Sequence, residues 1–126
     1  MKIILQLVVC SWLFLPVSFI TTVYGADKGV KLQRAIFAGG CFWCVEHLFD
    51  EVDGVTSTIS GYTGGHKVNP KYKEVSSGRT GHTEAVEVMF DPEKVSYDDL
   101  LRLLWVNIDP TTTQRQFCDY GEQYRS

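Results

Sequence analysis

The residues of this chain best suited to chemistry are Cys41 and Cys44, within the run Gly39-Gly40-Cys41-Phe42-Trp43-Cys44. Two glycines let the backbone turn sharply, which places Cys41 on the first turn of the helix expected to follow. Backbone N–H groups there have no helical partner, and the macrodipole adds positive potential, so a thiolate is favoured over a thiol. Phe42 and Trp43 beside that sulfur describe a nucleophile facing an apolar slot. The three-residue spacing puts Cys44 on an adjacent corner of the same turn, with Cα atoms about 5–6 Å apart and so within disulfide range. The bland reading is two buried cysteines acting as small hydrophobes. A zinc site would need a second ligand pair at short spacing, which Cys118, His47, His66 and His82 do not supply.

These residues must be held by a small set of elements. Gln33–Ala38 reads as a short buried strand ending at Gly39-Gly40. From Cys41 to Val52 the apolar residues Phe42, Val45, Leu48, Phe49 and Val52 follow helical spacing, and Asp53-Gly54 stops the helix. Trp43 lies off that stripe and so needs a reason other than core packing. Val55–Tyr62 is rich in β-branched residues and reads as a second strand. A long, polar, glycine-containing loop follows from Thr63 to His82, a length that usually serves function. Glu84–Phe90 alternates cleanly, and Ser96 caps a helix running to about Ile108. Residues 114–126 are polar and aromatic, with Tyr124–Ser126 opening a further strand. The order β-α-β-β-α-β, its last strand incomplete, predicts an α+β fold, a two-layer ferredoxin-like sandwich.

The chain has 126 residues, 12 basic against 15 acidic, and a net charge of −3. No basic run or stripe is present, which argues against nucleic-acid binding. Lys2 followed by the apolar run Ile3–Ile20, with Val23 and Gly25 at cleavage spacing, reads as a signal peptide over residues 1–25. The domain would then occupy residues 26–126, exported and most simply periplasmic. An uncleaved N-terminal membrane anchor is the alternative. Cys10 falls in the leader. The remaining cysteines, Cys41, Cys44 and Cys118, are odd in number, which suits cycling thiols better than a structural disulfide framework.

Gly40-Cys41-Phe42-Trp43 resembles the active-site motif of the A-type peptide-methionine (S)-sulfoxide reductases. The likeness extends through Ser60-Gly61-Tyr62-Thr63-Gly64-Gly65, Asn69-Pro70-Lys71-Tyr72-Lys73-Glu74-Val75 and Gly81-His82-Thr83-Glu84-Ala85-Val86. Asp109-Pro110-Thr111 and Gln123-Tyr124-Arg125-Ser126 continue it, so it covers the chain from about Ala35 onward. The resemblance implies Cys41 as nucleophile toward the sulfoxide sulfur and Glu84 as proton donor to its oxygen. It implies Tyr62 and Tyr124 as hydrogen-bond donors to the same oxygen. Phe42 and Trp43 would hold the S-methyl group, with Asp119 in the pocket wall. Taken alone, Glu84 would read as a solvated strand-end carboxylate.

Attack would leave Cys41 as a sulfenic acid, which a second thiol condenses to a disulfide. In the family's common pattern a glycine follows the tryptophan and resolving cysteines lie near the C-terminus; here Cys44 takes the glycine's place. Cys118 stands where relatives often carry asparagine. Cys44 is the nearer resolving candidate, and Cys118 a second relay. No bound cofactor or metal is implied, only a thioredoxin-type dithiol as electron donor. The expected partners are oxidised proteins and peptides carrying methionine sulfoxide, acted on by a monomer. The chain is also expected to stop short of the family's full length, at some cost in stability and solubility. The rival reading is a thioredoxin-like thiol–disulfide oxidoreductase using Cys41-x-x-Cys44, in which Glu84, Tyr62 and Tyr124 would have no task.

Overall fold

A computed structural model describes residues 29–126. The expected leader, residues 1–25, and the alternative anchor lie outside the described residues. Among those described, no helix is long and apolar enough to cross a membrane.

Three strands form the main sheet: β1 (Gln33–Phe37), β2 (Val55–Thr63) and β3 (Thr83–Phe90). β3 lies between the other two and is antiparallel to both. β1 and β2 therefore run parallel to each other, joined by helix α1 (Phe42–Asp50), with β3 inserted between them. This placement follows from composition. β3 carries Val86, Val88 and Phe90 on one face, all essentially without solvent contact, and a strand that apolar belongs in the centre. Ala35 and Phe37 of β1 add to the same face. Phe42, Val45 and Phe49 of α1 cover it together with Leu100 and Leu104 of a later helix (Tyr97–Val106). Phe37 stacks on Phe49 with ring centroids 4.7 Å apart. The opposite face is open, with Ile36 and Ile59 exposed on either side of Glu87.

The Thr63–His82 segment, expected to be loop throughout, contains a one-turn helix, α2 (Tyr72–Val75). Glu74 accepts from the backbone N–H of Lys71 at 2.8 Å and pairs with Lys67, local bonds that stabilise a turn too short for hydrophobic periodicity to reveal. The helix Tyr97–Val106 is α3, and Ser96 caps it as expected: its hydroxyl accepts from Asp99 N–H at 3.2 Å. After α3 the chain departs from the predicted order. A two-stranded hairpin, β4 (Arg115–Gln116) and β5 (Asp119–Tyr120), stands apart from the main sheet. The strand expected from Tyr124 is instead the end of a 3₁₀ turn, Glu122–Tyr124, closed by Arg125 N–H donating to the Glu122 carbonyl. Gln123 decides this local geometry: it is buried and donates to the Ser76 carbonyl at 3.3 Å, tying the turn across the loop before β3. The fold is thus mixed α and β with an antiparallel sheet, and the fourth strand of a ferredoxin-like sandwich is not among the described residues.

Candidate active site

The turn that delivers Cys41 needs both of its glycines. A side chain at Gly39 would lie 3.0 Å from Leu104 of α3 and from Ile108 just beyond that helix. Gly40 has φ +102°, and a Cβ there would meet Gln116 at 2.7 Å. Gln116 is itself buried, and its amide is held by Asp109: it accepts from Asp109 N–H at 2.8 Å and donates to the Asp109 carbonyl at 2.9 Å. The segment after α3, the β4–β5 hairpin and the Gly39-Gly40 turn are therefore wedged together by one side chain.

Cys41 is the N-cap of α1, with φ −57° and ψ 119°, rather than a residue of its first turn. Its carbonyl accepts from the N–H groups of Cys44 and Val45, and its side chain makes no capping bond. The sulfur stays available because the cap comes from another element. Glu84, on β3 and 1% exposed, accepts the N–H of Phe42 at 3.0 Å. A carboxylate on a distant strand thus meets the electropositive end of the helix that Cys41 starts. The second oxygen of Glu84, Oε1, is buried with no hydrogen-bond partner. Burial pushes the Glu84 carboxyl above the ordinary range, the Phe42 hydrogen bond opposes this, and Asp119 adds to it.

Tyr62 is the direct cross-strand neighbour of Glu84, so the two side chains share one side of the sheet. Tyr124 reaches the same place from the C-terminal turn, which is fastened by Gln123 to Ser76 and by Arg125 to the Gly81 carbonyl at 3.3 Å. Burial foremost, then the Glu84 charge, raises the hydroxyl pKa of both tyrosines; a bond with Gln123 partly offsets it at Tyr124. Both therefore remain donors at neutral pH. Phe42 packs against Tyr62 at 5.6 Å and Trp43 at 5.4 Å. Trp43 is 61% exposed, consistent with its position off the helix stripe.

Tyr72 completes the cluster: it stacks on Trp43 at 5.8 Å and on Phe42 at 6.4 Å. Sequence reasoning included it in a motif but gave it no role; its place after Asn69-Pro70 in the long loop was the available signal. His82 is a second such residue. It is buried, packs edge-on to Tyr62 at 6.4 Å, and so closely faces Gly65 that a Cβ there would sit 2.1 Å from its Nδ1.

Cys44 is exposed and Cys41 half-buried, which does not suit two thiols serving only as core packing. The Cys44 thiol pKa is raised by burial foremost, then by Cys41 and Asp119. Cys118 is exposed at the hairpin turn, after Phe117 in left-handed conformation (φ 49°) and directly before Asp119. Asp119 borders the same cavity as Cys41 and Cys44. The structure thus gathers Cys41, Cys44, Phe42, Trp43, Tyr62, Glu84, Asp119 and Tyr124, and leaves Cys118 at the edge. Among the described residues no group of three or more His, Cys, Asp or Glu side chains could hold a metal ion.

A buried carboxyl beside the start of a Gly-Cys-Phe-Trp helix can be compared with proteins of known family. A family model described as peptide methionine sulfoxide reductase matches residues 33–126. The chain belongs to the peptide methionine sulfoxide reductase family. Peptide methionine sulfoxide reductase MsrA of Streptococcus agalactiae is 61% identical over 94 residues, which are 75% of this chain and 56% of that protein. MsrA of Streptococcus uberis is 57% identical over the same coverage. Among solved structures, methionine sulfoxide reductase A of Corynebacterium diphtheriae superposes with TM-score 0.73 at 44% identity, covering 75% of this chain and 45% of that one. Reduced Mxr1 of Saccharomyces cerevisiae gives 0.72 at 32% identity, over 78% and 59%. The chain spans about half the length of the curated relatives it matches. Membership in the peptide methionine sulfoxide reductase family does not favour the thioredoxin-like alternative.

Proposed function

We propose that this protein reduces methionine (S)-sulfoxide, free and in peptides, to methionine. The observation that carries the reading is Glu84: almost fully buried, one oxygen on the helix N-terminus that Cys41 begins, the other unpaired among Phe42, Tyr62 and Tyr124. A carboxyl so placed holds its proton at a pH where an exposed one has lost it, as a general acid requires. The Cys41 thiolate attacks the sulfoxide sulfur while Glu84 gives a proton to the oxygen and Tyr62 and Tyr124 donate hydrogen bonds to it. The S–O bond of the sulfoxide breaks as the protonated oxygen passes to the Cys41 sulfur and the transient bond between the two sulfurs opens, leaving methionine and Cys41 as sulfenic acid. The Cys44 thiol then attacks the Cys41 sulfur, forming a Cys41–Cys44 disulfide and releasing water. A thioredoxin-type dithiol returns both cysteines to thiols. Phe42, Trp43 and Tyr72 hold the S-methyl group through sulfur–aromatic contact, and Asp119 orders the pocket wall.

Cys44 is favoured over Cys118 as resolving residue because it lies one helical turn from Cys41, its N–H donating to the Cys41 carbonyl at 3.1 Å. Three further expectations stay with this proposal: export, resting on Lys2 and the apolar run Ile3–Ile20; action as a monomer; and a ferredoxin-like sandwich, supported by the central β3 between β1 and β2. Turnover of the two epimers of a methionine sulfoxide peptide with dithiothreitol tests the activity. Consumption of the S epimer alone, abolished in Cys41→Ser, is expected. Equal consumption of both, or an active Cys41→Ser protein, contradicts it.

A further inference from the structure

The long loop between β2 and β3 closes on itself beside the site. His66 N–H donates to the Thr80 carbonyl at 3.1 Å, which lays Gly65 alongside His82. Tyr62 stands opposite Glu84 in the register of β2 and β3. His82, two residues before Glu84, therefore falls on the diagonal from Tyr62, within reach of its ring. The imidazole is buried and meets Tyr62 edge-on, with ring centroids 6.4 Å apart and an interplanar angle of 68°. It also abuts Gly65, where a Cβ would sit 2.1 Å from Nδ1. That nitrogen is buried without a hydrogen-bond partner. A polar atom so placed stabilises nothing by hydrogen bonding, so the ring acts here through its shape.

We propose that His82 is a positioning residue for Tyr62: wedged between the Gly65 backbone and the Tyr62 ring, it fixes the direction in which the phenol hydroxyl points. The inference rests on the proposed role of Tyr62 as hydrogen-bond donor to the sulfoxide oxygen. Sheet pairing holds the Tyr62 backbone but not its side-chain torsions. Phe42, tilted against the ring at 5.6 Å, and His82, meeting it edge-on, bound it from two directions and so define its plane. Gly65 matters by lacking a side chain, because any Cβ there would drive the imidazole out of its seat. As the S–O bond breaks, charge collects on the oxygen and a hydrogen bond to it strengthens. A misdirected hydroxyl is therefore felt in kcat more than in KM.

A double-mutant cycle on a methionine (S)-sulfoxide peptide tests this. His82→Ala should lower kcat about tenfold with KM little changed, and Gly65→Ala, which pushes a methyl group against the ring, should do the same. In a Tyr62→Phe background the hydroxyl is already gone, so neither substitution should lower kcat by more than about twofold further. His82→Phe keeps a flat ring in the seat and should return kcat to within about twofold of the parent. Relaxation of ring-labelled tyrosine by NMR reads the contact without turnover: the Tyr62 ring should lose order in His82→Ala and regain it in His82→Phe. Additive losses in the Tyr62→Phe background, a His82→Phe protein as slow as His82→Ala, or a Tyr62 ring equally ordered in His82→Ala overturns the proposal. If His82→Ala does not fold, Gly65→Ala carries the same cycle. A Tyr62→Phe protein as fast as the parent also overturns it, while leaving sulfoxide reduction intact. A protein whose Tyr62 order depends on His82 but that consumes no sulfoxide supports the contact and contradicts the function.

Discussion

At the residue scale the account turns on Glu84 and on a pair of cysteines. Glu84 is raised by burial, so it is protonated below its shifted pKa and loses its proton only above the range of an exposed carboxyl. Sulfoxide reduction should therefore fall as pH rises through that value, and Glu84→Gln should remove this limb and lower kcat by about 10²–10⁴-fold. The pH–rate profile of the two proteins checks it. The same shift bears on stability with a defined sign. The protonated form is the one the folded state prefers, so this contribution is present at low pH and is lost as pH rises through the raised value. Cys44→Ser should still release methionine in a first turnover and then stall, because its hydroxyl cannot close a disulfide; rapid-quench counting of product separates the phases. Sequence reasoning located Cys41, Phe42 and Trp43 from residue type and spacing alone. Glu84, Tyr62, Tyr124 and Asp119 were legible only through resemblance, because their approach to the cysteines is made by strand pairing and turn anchoring that no local pattern encodes.

At the element scale the site is a junction of loop ends. The N-terminus of α1, the start of β3, the one-turn α2, the β4–β5 hairpin and the C-terminal 3₁₀ turn each contribute a side chain. Gly40 keeps the first of these in place: its positive φ and the 2.7 Å approach of Gln116 leave no room for a methyl group. Gly40→Ala should cost about 1–3 kcal/mol and also displace Cys41, so that denaturant midpoint and sulfoxide turnover fall together. Tyr72→Ala removes one ring of the aromatic cluster while touching neither cysteine nor Glu84. KM for the sulfoxide should rise about tenfold with kcat little changed, the mark of lost binding present equally in ground and transition states. The strands and long helices were readable because their apolar residues repeat with period two or 3.6. The turn Tyr72–Val75 and the 3₁₀ turn were not, since a few local hydrogen bonds and the buried Gln123 fix them without any periodic signal.

At the scale of the whole molecule, one face of the sheet carries the core and the other is open. Phe49 lies at the centre with no solvent contact, and Phe49→Ala should destabilise by about 3–5 kcal/mol, read from the shift in a urea midpoint. On the open face Ile36 is 54% and Ile59 58% exposed, at the two edges of the described sheet. Such edges favour association, so Ile36→Lys should raise solubility with a melting temperature close to that of the parent. The Arg34–Glu87 pair beside them, at 3.3 Å with Arg34 largely exposed, contributes little by comparison.

The most direct measurement of the central claim is a single turnover without reductant. Reduced protein is mixed with a small excess of a methionine (S)-sulfoxide peptide and quenched with acid. Released methionine is counted, and the protein's bonds are mapped by mass spectrometry. The account predicts about one methionine per chain, formed together with a Cys41–Cys44 disulfide. No methionine, or methionine formed with a Cys41–Cys118 bond while Cys44 stays a free thiol, would contradict it.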